Sequence, residues 1–140
     1  FLKIAPDQEV GEVEAIVEAA VTHGLSGLIV SNTTVSRPQL GSPARDETGG
    51  LSGEPLFELS TRVLREVAQA AAGRLALIGV GGVRSGAQAY AKIRAGAHAV
   101  QLYSALAYEG PSLVVRIKAD LAARLRADGF ASVGDAVGAG

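Results

Sequence analysis

Leu75-Ala76-Leu77-Ile78-Gly79-Val80-Gly81-Gly82-Val83 and, further on, Ala99-Val100-Gln101-Leu102-Tyr103-Ser104 decide the fold. The first run is an apolar strand, Leu75–Val80, that passes into a glycine cluster. A short helix pattern follows, opened by Ser85 as N-cap and closed by Gly96. The second run is another apolar strand, Ala99–Tyr103, ending at a hydroxyl residue. Glycine lets backbone approach a bulky anion and aim N–H groups at it. Two consecutive parallel strands closing on one anion match the phosphate site after strands seven and eight of a (β/α) barrel. The same cluster is also compatible with a tight strand-to-helix turn and nothing more.

Working outward, four strand-like runs alternate with helical patterns. Phe1–Ala5 reads as a strand stopped by Pro6, and Asp7 as the N-cap of a helix over Gln8–His23. In that helix Val10, Val13, Val17, Ala20 and Val21 share a face, and Gly24 ends it. Gly27–Ser31 is the next strand. A long polar stretch with Pro38 and Pro43 leads to Pro55, placed for the first turn of a helix carrying Leu56, Leu59, Val63, Leu64 and Val67 and ended by Gly73. After Ala99–Tyr103 come Gly110-Pro111 and a helix over Ser112–Asp128, with Val114, Ile117, Leu121 and Leu125 as its buried stripe. Phe130–Gly140 reads as a short terminal turn of helix. Nearly all-apolar strands between amphipathic helices indicate a parallel sheet covered on its outer face. The expected class is therefore α/β, the C-terminal half of a (β/α)8 barrel, about four βα units.

A complete barrel takes about 250 residues, against 140 here. The chain opens on a strand, without an initiating Met or a preceding capping segment. Residues 1–140 are thus expected to be the C-terminal part of one barrel domain whose N-terminal half lies elsewhere. Net charge is −1, the 13 Lys and Arg residues are dispersed, and aromatics are 4%, so nucleic acid is not an expected partner. With no cysteine, disulfides, thiolate catalysis and Cys-bound metals are excluded within these residues. His23 and His98 read as structural, no His–Glu spacing suggests a metal, and no apolar run reaches the ~20 residues of a membrane span.

In a barrel, functional groups sit at the C-terminal ends of strands and in the loops that follow. Ser31-Asn32-Thr33-Thr34 ends the second strand with four hydrogen-bonding side chains. Asn combines an acceptor and a donor, which suits a cyclic imide or a carboxylate. An Asx or Ser/Thr turn is the other reading. Lys3 stands inside an apolar run, where an inward-facing cation needs an anion; a surface-facing Lys on a frayed strand is the alternative. Residues 31–55 far exceed the usual 2–6 residues of a βα loop. Gly49-Gly50-Leu51-Ser52-Gly53 near its end either approaches a cofactor ring or serves turns in a flexible loop. Arg37, Arg45, Asp46 and Glu47 read as a solvated charged face.

Together, Lys3–Asp7, Ser31-Asn32-Thr33-Thr34-Val35-Ser36-Arg37-Pro38, Glu47–Gly53, Ile78–Val83 and Gln101–Leu106 make a specific set. On these the chain resembles the C-terminal part of dihydroorotate dehydrogenase, in its quinone-dependent, membrane-associated class. The resemblance extends to Gly129-Phe130 and Asp135-Ala136. The soluble class shares the glycine motif and the Gly110-Pro111 turn but typically lacks the Asn-Thr-Thr-Val-Ser-Arg-Pro segment and has Gly where Tyr103 stands. Other phosphate-binding barrels, such as α-hydroxy-acid oxidase-like flavoenzymes or sugar-phosphate isomerases, share the glycine logic. They do not predict Asn32-Thr33-Thr34 together with Gly50-Leu51-Ser52-Gly53. A non-catalytic half-barrel is the alternative of another class.

The resemblance implies an FMN enzyme that oxidises dihydroorotate to orotate in pyrimidine synthesis and passes the electrons to a quinone. It implies Lys3 beside the flavin pyrimidine ring, Ser31 in contact with FMN, and Asn32 and Thr33 on the substrate. Gly53 and Gly82 would approach FMN through the backbone, with Gly81 adjacent, and Tyr103 and Ser104 would complete the phosphate cup. The family's proton-abstracting serine falls in the barrel's first half, so no catalytic base is expected among these residues. Quinone and membrane contacts belong to an N-terminal extension. The Ala- and Gly-rich, Met-free composition hints at a bacterium, hence at the cytoplasmic side of the cell membrane.

Overall fold

The computed structural model describes residues 1–37, 40–43 and 45–140; Pro38 of the long loop lies outside the described residues. Strand β1 (Leu2–Ile4) leads to helix α1 (Glu12–Thr22), β2 (Gly27–Val30), a 3-10 turn at Glu54–Leu56 and α2 (Phe57–Ala71). Then come β3 (Ala76–Gly79), α3 (Gly86–Arg94), β4 (Ala99–Val100), α4 (Ser104–Glu109), α5 (Ser112–Ala127) and α6 (Val133–Ala136). The strands form one parallel sheet in the order β1-β2-β3-β4. Sequential parallel neighbours joined by helices are the arrangement of a (β/α) barrel wall.

Register sorts the strand residues onto two faces. Leu2, Leu28 and Leu77 are aligned, as are Ile4, Val30 and Gly79; Leu28, Val30 and Leu77 are almost fully buried under the helices. Their core partners are Val13 and Val17 of α1, Val63, Leu64 and Val67 of α2, and Ile93 of α3. Lys3, Ile29, Ile78 and Ala99 are aligned on the opposite face. There Ile29 and Ile78 are half-buried while Lys3 and Ala99 are exposed. A smaller cluster of Val83, Ala89, Leu113 and Ile117 joins α3 to α5.

Several local expectations change. Asp7 does not cap α1. Its carboxylate is drawn to the loop after β2, the helix begins four residues past the expected Gln8, and Gly11 takes the cap position at φ 87°. Glu12 instead accepts a hydrogen bond from the Glu9 N–H at 2.8 Å. Val10, outside the helix, is fully exposed rather than on its apolar face. In α5 Leu113 takes the buried place expected for Val114, which is 39% exposed. Strand β4 is only two residues long because the chain turns away into α4, a helix that the apolar run Leu102–Leu106 did not announce. At that short edge His98 assists the pairing: its N–H donates to the Leu77 carbonyl at 2.8 Å, and its Nδ1 accepts from the Leu77 N–H at 3.1 Å. Ser85 caps α3 as expected, accepting from the Gln88 N–H.

Candidate active site

At the C-terminal ends of the strands lies one cavity of about 570 Å³. Lys3 reaches it from β1 and Ser31-Asn32-Thr33 from the end of β2. Gly53 comes from the long loop, Gly81-Gly82 from the turn after β3, and Tyr103-Ser104 from the start of α4. Lys3, Ser31, Asn32, Thr33, Gly53, Gly81, Gly82, Tyr103 and Ser104 therefore line a single space, whereas Gly49, Gly50 and Leu51 of the glycine loop are not among its lining residues. Lys3 is on the inner face, not on a frayed surface, and no hydrogen bond or ion pair engages it among the described residues.

The β2 end is set by the fold of its own backbone. The peptide between Val30 and Ser31 is cis. Ser31 is buried, and its hydroxyl donates to the Asn32 carbonyl at 2.9 Å. The Asn32 N–H donates to Ile4 O at 2.7 Å, tying this loop to β1. Asn32 Oδ1 accepts from the Thr33 N–H at 3.0 Å, one residue on rather than the two of an Asx turn. Its amide nitrogen, with two donors, is left for the cavity. Thr33 lies over Gly50, where an added Cβ would sit 2.0 Å from Thr33 Oγ1; the glycine is needed for that contact.

The long loop is stapled rather than free. Thr34 and Leu51 form an antiparallel bridge, with N–H···O distances of 3.1 and 2.8 Å. Asp7 accepts from Thr34 Oγ1, from the Val35 N–H at 3.1 Å and from Ser36 Oγ at 3.0 Å. Desolvation pushes the Asp7 carboxyl upward, but these hydrogen bonds together hold it below the ordinary aspartate value. Arg37, expected to be solvated, donates to the carbonyls of Glu47 and Gly49 at 2.9 and 2.6 Å and so crosses the loop. Arg45 and Asp46 pair with each other at the exposed surface.

The turn after β3 carries the anion logic. Gly81 and Gly82 have φ of 103° and 74°, a region open to glycine at little steric cost. Both glycines also pack on the start of α2. A Cβ on Gly81 would lie 2.7 Å from Ser60 Oγ, and one on Gly82 would lie 2.5 Å from Phe57 Cβ. Close packing against α2, as well as open space for a ligand, therefore selects glycine here. Neither the Gly81 nor the Gly82 N–H has a backbone acceptor among the described residues. Free N–H groups beside a cavity that also holds a lysine suit an anion.

Sequence reasoning passed over the roles of three residues, Ser52, Arg84 and Lys92. Ser52 Oγ and Ser104 Oγ lie 3.1 Å apart and close the cavity between the long loop and α4. Arg84 lines the cavity and pairs with Glu54 at 2.9 Å and Glu109 at 3.5 Å. Lys92 of α3 is fully buried beneath the glycine turn. The legible signal was a charge at a position three residues after Ala89 and next to Ile93, on the buried face of that helix.

The model of the family described as dihydroorotate dehydrogenase matches residues 1–125. The chain belongs to the dihydroorotate dehydrogenase family. The dihydroorotate dehydrogenase (quinone) of Parvibaculum lavamentivorans is 62% identical over 140 residues, covering 99% of this chain and 40% of that relative. The mitochondrial dihydroorotate dehydrogenase (quinone) of Arabidopsis thaliana is 54% identical over 141 residues, 99% of this chain and 31% of its own length. A crystal structure of the dihydroorotate dehydrogenase of Eimeria tenella in complex with ferulenol superposes with a TM-score of 0.94 at 43% identity, over 98% of this chain and 37% of that one. The chain thus spans about 40% of the length of the first of these dihydroorotate dehydrogenases. Its four βα units are a portion of that family's barrel wall.

Proposed function

We propose that this chain is the C-terminal part of a flavoenzyme that oxidises dihydroorotate to orotate, in pyrimidine synthesis, with a quinone as electron acceptor and FMN as cofactor. One observation carries the reading. Residues from all four strand ends meet at one cavity, in a chain of the dihydroorotate dehydrogenase family. The cavity's features suit FMN: unpaired N–H groups at a glycine turn, an unpartnered lysine and a closely placed glycine loop. When bound, FMN supplies the two-electron acceptor that no amino-acid side chain provides.

The chain's own residues then divide the work. Gly81 and Gly82 donate backbone N–H groups to the phosphate, and Tyr103 and Ser104 close round it. Ser31 and Gly53 border the flavin. Lys3, which lines the cavity, would hold the flavin from the side of its ring and would supply a positive charge there. Asn32 offers its amide N–H groups, and Thr33 its hydroxyl, to the substrate's polar edge. Proton removal falls to a serine in the barrel's first half, and no serine of this chain is assigned to it. Quinone and membrane contacts fall to an N-terminal segment of the full-length enzyme, on the cytoplasmic side of the cell membrane if the source is bacterial.

Asn32→Ala in the full-length enzyme is the test. Flavin content should stay near wild type, because Asn32 is assigned to the substrate. Flavin reduction by dihydroorotate, followed anaerobically by stopped-flow absorbance, should weaken by roughly 5- to 150-fold, equivalent to the loss of about 1–3 kcal/mol for one polar partner. Normal reduction with poor flavin retention would reverse the assignment.

A further inference from the structure

Lys92 is the one fully buried lysine among the described residues, and the function proposed above does not use it. Its Nζ donates to Ser60 Oγ at 2.6 Å and to the Val80 carbonyl at 3.2 Å, and stands 5.4 Å from the centre of the Phe57 ring. Among the described residues no carboxylate pairs with it. An unpaired buried ammonium is expensive, and a methionine of similar length would fill the same space without that penalty. Something must repay the charge.

The geometry of the turn shows what Lys92 does. In a planar trans peptide the C=O and the following N–H point in opposite directions. Lys92, together with the Ser31 N–H, holds the Val80 carbonyl back, so the N–H of Gly81 faces the other way. Ser60, which accepts from Lys92, has its one hydroxyl proton within reach of two carbonyls, Phe57 at 3.0 Å and Gly81 at 3.2 Å; shared with Gly81, it holds that carbonyl back and turns the N–H of Gly82 likewise. Both glycines line the cavity. We infer that Lys92 is a positioning residue for the anion site: with Ser60 it orients the two peptide planes of the glycine turn, and its ammonium is the buried countercharge for a phosphate dianion held by Gly81 and Gly82. This rests on the reading of the cavity as a flavin-phosphate site.

The charged surroundings leave that role to Lys92. On α2, Arg65 opposes its protonation and Glu58 favours it, while burial outweighs both and brings the amine down to about 7. Arg84, after β3, is engaged by Glu54 and Glu109. Asp120 of α5 is bonded to Arg124. A bound dianion favours the ammonium form, so Lys92 must take up a proton when the anion enters above about pH 7. Anion affinity then falls as pH rises beyond that point, by up to tenfold per pH unit. The second ionisation of a phosphate ester, near 6, is complete over this range and does not imitate the fall.

The experiment compares FMN with riboflavin, which lacks the phosphate, by fluorescence titration of the flavin-free full-length enzyme. Wild type and Lys92→Met are titrated between pH 6.5 and about 9, a window set by the value of about 7. Wild type should prefer FMN, with a preference that declines above about pH 7. Lys92→Met should lose about tenfold or more of that preference at pH 6.5 and show no decline, while riboflavin affinity stays as in wild type. An unchanged preference in Lys92→Met overturns the inference and leaves the phosphate site standing. A wild type that does not distinguish FMN from riboflavin overturns the phosphate site itself. If Lys92→Met does not fold, or loses both flavins equally, the wild-type profile decides: a flat preference between pH 7 and 9 overturns the role of Lys92.

Discussion

Gly82 shows how one residue can answer to two demands. Its position in a phosphate-binding pattern invites the view that a side chain there would only block the ligand. The structure adds the backbone of Phe57: a Cβ would lie 2.7 Å from Phe57 N and Cα, at a φ of 74°. Overpacking of this kind costs about 1–3 kcal/mol, and a left-handed conformation for a non-glycine residue adds about 1–2 kcal/mol. Gly82→Ala should therefore lower the stability of the flavin-free full-length enzyme by about 2–5 kcal/mol in urea unfolding. Unchanged stability without flavin, with flavin loss alone, would mean that the turn can shift off α2 and that only the ligand selects glycine. Lys92 is the complementary case. Its role depends on which carbonyl its amine reaches, and helical periodicity reports only that a charge occupies a buried stripe.

Among the elements, the long connection after β2 is tied to β1 by one main-chain hydrogen bond and to the segment just after β1 by a carboxylate. Asp7 receives Thr34 Oγ1, the Val35 N–H and Ser36 Oγ, and Asn32 bonds Ile4. The lowered folded-state value of Asp7 means that the ionised form is favoured by folding. Its contribution is complete above the unfolded value near 3.9 and is lost as pH falls through the lower folded value. At neutral pH, Asp7→Asn should speed amide hydrogen exchange at Val35 and Ser36 and lower stability by on the order of 1 kcal/mol or less, since the site is largely solvated. The stability difference from wild type should shrink on acidification below about pH 4; a difference that grows there would contradict the sign. Periodicity made the four strands and the long helices legible, because apolar faces must be buried whatever the partner. It missed α4, whose six residues hold no fully buried side chain, and misplaced the start of α1, because Asp7 is taken by residues 27 to 29 positions away. The candidate residues after β2 and β3 were legible because barrels put chemistry at strand ends, whereas Gly53 and Tyr103 were proposed on the family resemblance. The pairing of Ser52 with Ser104 needed the tertiary fold.

At the scale of the whole molecule, the sheet ends at β1 on one side and β4 on the other, and each has a partner on one side only. Its inner face shows Ile29 and Ile78 half-buried beside exposed Lys3. Unpaired edges and an open apolar face favour association. The 140-residue chain on its own should sediment as concentration-dependent oligomers and show no dihydroorotate oxidation with FMN and a quinone analogue. Co-expression with the rest of the barrel should restore both a defined size and flavin absorbance. Turnover by the chain alone, near the rate of the full-length enzyme, would require a base among its own side chains. The order β1-β2-β3-β4 has one more consequence, for transplantation. Both inner strands find all their ladder partners within this chain, so a host barrel has to supply two seams, along the outer edges of β1 and β4, and the side chains that cover the inner face. Seams made of main-chain hydrogen bonds are indifferent to side-chain identity, which makes these four units a cassette that the remaining barrel of a relative such as that of Parvibaculum lavamentivorans, 62% identical over this stretch, can accept in place of its own.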